Sequence, residues 1–211
     1  MKKTITRLAM LSGAVLLLAG CAPTAPPIAA SPTPSAPVDA DIVSPPAAFV
    51  QLDTAHAADR YLDLVCPNNL ATRALADAFD AGEEEMLSGG DPDASAVRAA
   101  AARRLDLNRR TLTLLDDPFF RWPADVNDQV AQVRSSYIAE LPTLDAMSNA
   151  ASFSDAFYTT FAEASPEQRS AGQEIRYTLG IDADTVASCV GHETGIERLT
   201  AEHDERQTAS E

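Results

Sequence analysis

From about residue 53 to about residue 190 the apolar side chains return at every third or fourth position, and stretches that alternate apolar with polar are missing. That period belongs to helices that each bury one stripe, not to strands. Ala58, Tyr61, Leu62, Val65, Thr72, Ala76 and Phe79 share one stripe of a helix expected over 53–81 and closed by Gly82. Pro67 falls on the opposite side, so it is expected to kink this helix rather than stop it. The amide of Asn69, within the stripe, is placed to satisfy a backbone group that the proline frees.

Asp91-Pro92 combines a cap with a first-turn proline and marks a second helix, whose stripe is Val97, Ala101, Leu105, Leu112 and Leu115, up to Pro118. A third stripe, Val126, Val130, Val133, Tyr137, Leu141 and Leu144, starts after Trp122-Pro123 and leaves Pro142 off the buried face. Ser152 and Asp155 resemble a capping box for a short aromatic helix with Phe153, Phe157 and Phe161. Ser165-Pro166-Glu167 opens another, with Ile175 and Leu179 inward and Gly180 at its end. A last helix is expected from near Asp182, carrying Val186, Cys189 and Val190, weakened at Gly191 and Gly195 and frayed beyond about Glu202. The expected fold is therefore all-α: a single up-and-down bundle of three long, partly proline-kinked helices plus shorter C-terminal helices.

The segment before the bundle has a different character. Lys2, Lys3 and Arg7 precede an apolar run, Leu8 to Ala19, that is short of the ~20 residues needed to span a bilayer. Leu18-Ala19-Gly20-Cys21 resembles the lipobox of bacterial lipoproteins. The resemblance implies that residues 1–20 are a signal peptide removed before Cys21. It also implies that the Cys21 sulfur carries a diacylglycerol, which with its two chains anchors stably. Residues 21–48 contain 8 of the 14 prolines among Ala, Ser and Thr and read as a disordered tether. The bundle domain is expected over 49–206, and 207–211 as a disordered tail.

The signal peptide holds three of the sixteen bases and no acid. The remaining chain has thirteen bases, all arginine, against thirty-one acids, a net charge of −18. Such a surface repels nucleic acid and anionic headgroups, which excludes nucleic-acid binding as a role. The expected partners are the membrane, through the lipid on Cys21, and an envelope protein. The expected location is extracytoplasmic on the cell membrane. The outer face of a Gram-positive-type membrane is favoured by the lysine-free, Ala- and Arg-rich composition, with an outer membrane as the alternative.

Export places Cys66 and Cys189 in an oxidising space, where an even count of cysteines is expected to pair. No CxxC redox motif is present, nor a Gly-rich phosphate loop, GxSxG or HExxH, and no cofactor is expected. His56, Asp59 and Asp63 lie on one helical arc at metal-ligand spacing, but on the side read as solvated. Asp91, Asp93 and Ser95 match the first ligands of an EF-hand loop, whereas Ala96 and Ala102 stand where its glycine and glutamate are needed. The second helix concentrates Arg98, Arg103, Arg104, Arg109 and Arg110. These are expected to pair with carboxylates of neighbouring helices. The functional alternative is a partner surface in which Arg103, Leu107, Arg110 and Leu114 grip another protein.

The leading expectation is a membrane-anchored, non-catalytic interaction or structural module of the envelope. One alternative is a carrier of small apolar ligands, with a pocket lined by Phe153, Phe157, Phe161, Tyr61 and Tyr137. The other is a hydrolase working with carboxylates alone, for which the sequence singles out no pair.

Overall fold

The computed structural model describes residues 49–209; the expected signal peptide, Cys21, the tether and residues 210 and 211 lie outside them. The described chain is an all-α bundle. Helix α1 (Thr54–Leu87) starts under an Asp53 cap, whose carboxylate accepts from the His56 amide at 2.9 Å, and it runs through Pro67 without interruption. Gly82 does not end it. The ring of Phe153 occupies the place of a Cβ at 82, so that glycine is where α1 lets another element approach. The helix closes instead at Ser88, whose amide reaches back to the Glu84 and Glu85 carbonyls, and Gly89 then takes φ +81°. Glu83, Glu84 and Glu85 are therefore helical rather than part of a loop.

Helix α2 (Ser95–Leu115) begins after the Asp91-Pro92 signal, because Asp93 takes the turn and accepts from the Ser95 amide at 3.0 Å. Helix α3 (Asn127–Ser148) passes through Pro142, which stays exposed. Ser152 caps α4 (Phe153–Phe157) by accepting from the Asp155 amide at 3.1 Å. A reciprocal capping box between Ser165 and Gln168 opens α5 (Pro166–Leu179), and Gly180 at φ +70° closes it. Two short strands, β1 (Val50–Gln51) and β2 (Phe120–Arg121), pair in parallel and tie the entering chain to the α2–α3 connection.

The expected last helix from Asp182 does not form. Residues there make a loop with a single 3-10 turn, Ala187–Cys189, and Val186 and Val190 are exposed. Asp182 and Asp184 explain this: their carboxylates accept from the amides of Asp184, Val186 and Ala187, giving the backbone a turn in place of a helix. Helix α6 (Gly195–Ala209) starts at the glycine expected to weaken it and continues beyond Glu202. Its far end is held because Arg206 pairs with the buried Asp117 and, at 2.6 Å, with Glu202.

The core has two parts. Leu62, Leu64, Val65, Leu107, Leu114, Val130, Ile175 and Ile196 belong to one, and Leu75, Val97, Leu105, Leu144, Met147 and Phe153 to the other. Helix α2 feeds both, with different faces. In α1 every residue from Arg60 to Asn68 is buried, Pro67 included, so the proline does not project outward as expected. After it the buried face passes through Ala71 and Leu75, and Thr72 and Ala76 are exposed. The first half of α1 is enclosed by neighbours, and the second half is amphipathic.

Pro67 has no amide to give to the carbonyl of Asp63. At this point α6 comes closest: a Cβ on Gly195 would sit 2.6 Å from the Asp63 Cβ and closer still to its backbone. A glycine inside a helix ordinarily costs about 1 kcal/mol relative to alanine. Here Gly195→Ala is expected to destabilise the protein by about 1–3 kcal/mol, because α6 must move away from α1. Chemical denaturation of the two proteins, compared at constant m-value, checks the sign.

Candidate functional site

Cys66 and Cys189 form a disulfide, with Cα atoms 5.4 Å apart and both residues buried. It joins the middle of α1 to the loop before α6 and closes a separation of 123 residues. In the chain-entropy view such a loop corresponds to about 5 kcal/mol of stabilisation at most.

One helical turn before Cys66, Asp63 lies buried, against the expectation of a solvated arc. Its Oδ1 accepts from Arg198 and lies 2.6 Å from Nδ1 of His192. The arc at metal-ligand spacing is thereby dispersed, since His56 turns to Asp53 at 2.9 Å and Asp59 is exposed. Among the described residues no group of three His, Cys, Asp or Glu is placed to hold a metal ion. Sequence reading missed the Asp63–His192–Arg198 cluster because its members are far apart in the chain. The one available signal was a carboxylate in α1 one turn from a bridged cysteine.

The partner surface on α2 is corrected by burial. Leu107 and Leu114 are core residues, 1% and 3% exposed, packed in the first cluster with Ile196 and Leu199 of α6. Arg110 faces the same helix, 3.8 Å from Glu197 and donating to Thr200 at 3.3 Å. Arg103 is exposed and makes no hydrogen bond or ion pair among the described residues. The pairing expectation describes Arg104, which bonds Glu140 at 2.7 Å, and Arg109, 3.8 Å from Asp145, whereas Arg98 donates to the Ala150 carbonyl at 3.2 Å. Glu140 also accepts from the Asn108 amide at 2.9 Å.

The five aromatic residues named for an apolar pocket do not share one. Phe153 and Phe157 stack at 5.8 Å and meet Phe79 edge-on within the second core cluster. Phe161 lies outside α4, under the Arg104 guanidinium at 5.3 Å. Tyr61 and Tyr137 instead belong to a cleft between α1, α3 and α5, with a volume of about 250 Å³. Val65 and Val133 join them at its apolar side. Asn69, Ser136, Gln168, Gln173 and Thr185 supply neutral polar groups, and Arg169 and Arg176 the charge. Asn69 thus lines the cleft, and the amide that backs the Pro67 region is that of Asn68, which donates to the Leu64 carbonyl at 3.1 Å and to Thr111 at 2.9 Å. Burial pushes the Tyr61 hydroxyl up to about 12, against a smaller opposing effect of Arg176, and burial likewise raises Tyr137 far above the ordinary phenol range. Both phenols stay neutral at any physiological pH.

Removing the Asp63 carboxylate leaves the Arg198 guanidinium and the His192 ring without their shared partner. Asp63→Ala is expected to lower stability by about 1–3 kcal/mol, whereas Asp59→Ala on the exposed arc changes it by less than about 0.5 kcal/mol. Equilibrium unfolding with the disulfide intact compares them.

Comparison with known proteins finds no matching family model, no matching curated protein and no matching solved structure.

Proposed function

We propose that this chain is an exported lipoprotein, anchored through a diacylglycerol on Cys21, whose helical domain acts as a non-catalytic interaction module at the cell envelope. The observation that carries the reading is the lipobox-like Leu18-Ala19-Gly20-Cys21 behind a cationic and apolar start. The buried Cys66–Cys189 bridge supports it independently, because such bonds form and persist in oxidising compartments. Among the described residues no helix is long and apolar enough to cross a membrane, so the anchor in this reading is the lipid.

The interaction role draws on two exposed large side chains. Tyr177 on the last turn of α5 is 90% exposed, and Val190, directly after Cys189, is 75% exposed. Large apolar groups held out on a helix and beside a bridged cysteine provide contact area with little ordering cost when a partner covers them. The acidic surface keeps an anchored module soluble and disfavours anionic partners.

Expression of the full chain in a lipoprotein-processing bacterium tests the address. The wild type is expected to take up labelled fatty acid, to lose residues 1–20 and to sediment with membranes. Cys21→Ser is expected to do none of these. Intact-mass measurement showing an unmodified Cys21 in the wild type overturns the reading.

A further inference from the structure

In this chain acids outnumber bases by thirty-one to sixteen, yet the wall of the α1–α3–α5 cleft contains two arginines and no aspartate or glutamate. The two arginines differ. Arg169 stands at the exposed rim, 4.0 Å from Glu163 and donating to the Ala164 carbonyl. Arg176 is 3% exposed, and its only hydrogen bonds among the described residues run from Nη1, to the Asp182 carbonyl at 2.8 Å and to Ser188 Oγ at 2.7 Å. Its Nη2 is closed off from solvent and has no partner, and no carboxylate lies within 4.0 Å of the guanidinium among the described residues.

A buried cation with no carboxylate in contact is costly, and the charge of Asp184 acts on Arg176 only from a distance. In the other deeply buried guanidinium, Arg60, Nε and Nη2 also lack hydrogen-bond partners, but Glu202 stands 3.7 Å away and the Phe120 ring 3.7 Å beneath it. Arg176 has neither. What it has is a neighbouring cavity of about 250 Å³ furnished with neutral amides and hydroxyls, just below the ~300 Å³ at which ligand pockets usually begin. Gly172 keeps that space open on α5, one helical turn before Arg176: a Cβ there would lie 3.3 Å from the Tyr61 hydroxyl, and anything larger would enter the cleft.

We propose that this cleft binds a small monocarboxylate, whose charge is met by Arg176 and whose body rests against Tyr61 and Tyr137. A planar guanidinium with spare donors matches a carboxylate in shape. Arg169 sits at the exposed rim beside Glu163, so the cleft holds one buried guanidinium for one negative charge. A phosphate dianion would remain half neutralised. The neutral donors and acceptors of Asn69, Gln173 and Ser136 are placed for a hydroxyl or carbonyl on the ligand's body. This proposal goes beyond the membrane reading and does not depend on where the protein resides.

The test is calorimetric titration of the full chain, purified in detergent, with acetate, pyruvate, lactate and benzoate. Acetamide and inorganic phosphate serve as the neutral and the dianionic comparison. At least one of the four monocarboxylates is expected to bind saturably while acetamide does not. Its affinity is expected to fall by about tenfold or more in Gly172→Leu, which fills the cleft and favours the helix. The melting temperature of ligand-free Gly172→Leu distinguishes a filled site from a damaged fold and is expected not to drop. Arg176→Gln is expected to abolish binding, and if it fails to fold, the Gly172→Leu comparison decides. No saturable monocarboxylate binding, equal binding by folded Gly172→Leu, or preference for phosphate each overturns the proposal.

Discussion

The architecture depends on a stretch of α1, Arg60 to Asn68, that has no solvent face yet carries charged and polar side chains. Burying polar groups is costly unless they are partnered, and each of these meets a different neighbour, although Nε and Nη2 of Arg60 and Oδ1 of Asn68 make no hydrogen bond. Arg60 draws in Glu202 of α6 and the Phe120 ring of β2. Asp63 draws in His192 and Arg198, Cys66 the loop at Cys189, and Asn68 draws in Thr111 of α2. Apolar contact alone would let surrounding helices slide with little penalty. These directional contacts fix which helix lies where, and the disulfide makes one of them covalent.

Arginine, the sole long cation of the described chain, suits that role. A guanidinium can bond a carboxylate in its plane while an aromatic ring covers its face, which a lysine ammonium does less well. Arg206 does both, pairing with Asp117 and Glu202 while lying 4.7 Å from the Phe119 and Phe120 rings. Arg104 bonds Glu140 with Phe161 nearby. Of these pairs Arg104–Glu140 joins two helices, Arg206–Asp117 joins α6 to the α2–α3 connection, and Arg206–Glu202 lies within α6. Arg176 stands apart because its partners are uncharged.

Local sequence carried the helices well and their surroundings poorly. The α3 stripe, the Ser152 and Ser165 caps and the Gly180 stop were legible because each is decided within a turn or two of chain. Gly82 and Gly195 misled because both are glycine for the sake of a distant side chain or backbone, Phe153 in one case and Asp63 in the other. Leu107 and Leu114 misled because α2 has helices on two sides, and a single-stripe reading assigns only one face to the core. The cysteine bridge was legible from counting. The cleft was only partly so: periodicity placed Tyr61 and Tyr137 inward, but the lack of a carboxylate in contact with Arg176 is a property of three dimensions.

The short segment Asp117–Arg121 meets both extremities of the described chain. Val50 and Gln51 pair with it through β1, and Arg206 near the close of α6 grips Asp117. The first and last described elements therefore leave the domain from one neighbourhood, and the turn at Gly89-Gly90 belongs to neither. Joining the two extremities with a short peptide and opening the chain at that turn would change the order in which the helices are synthesised while retaining every contact described above.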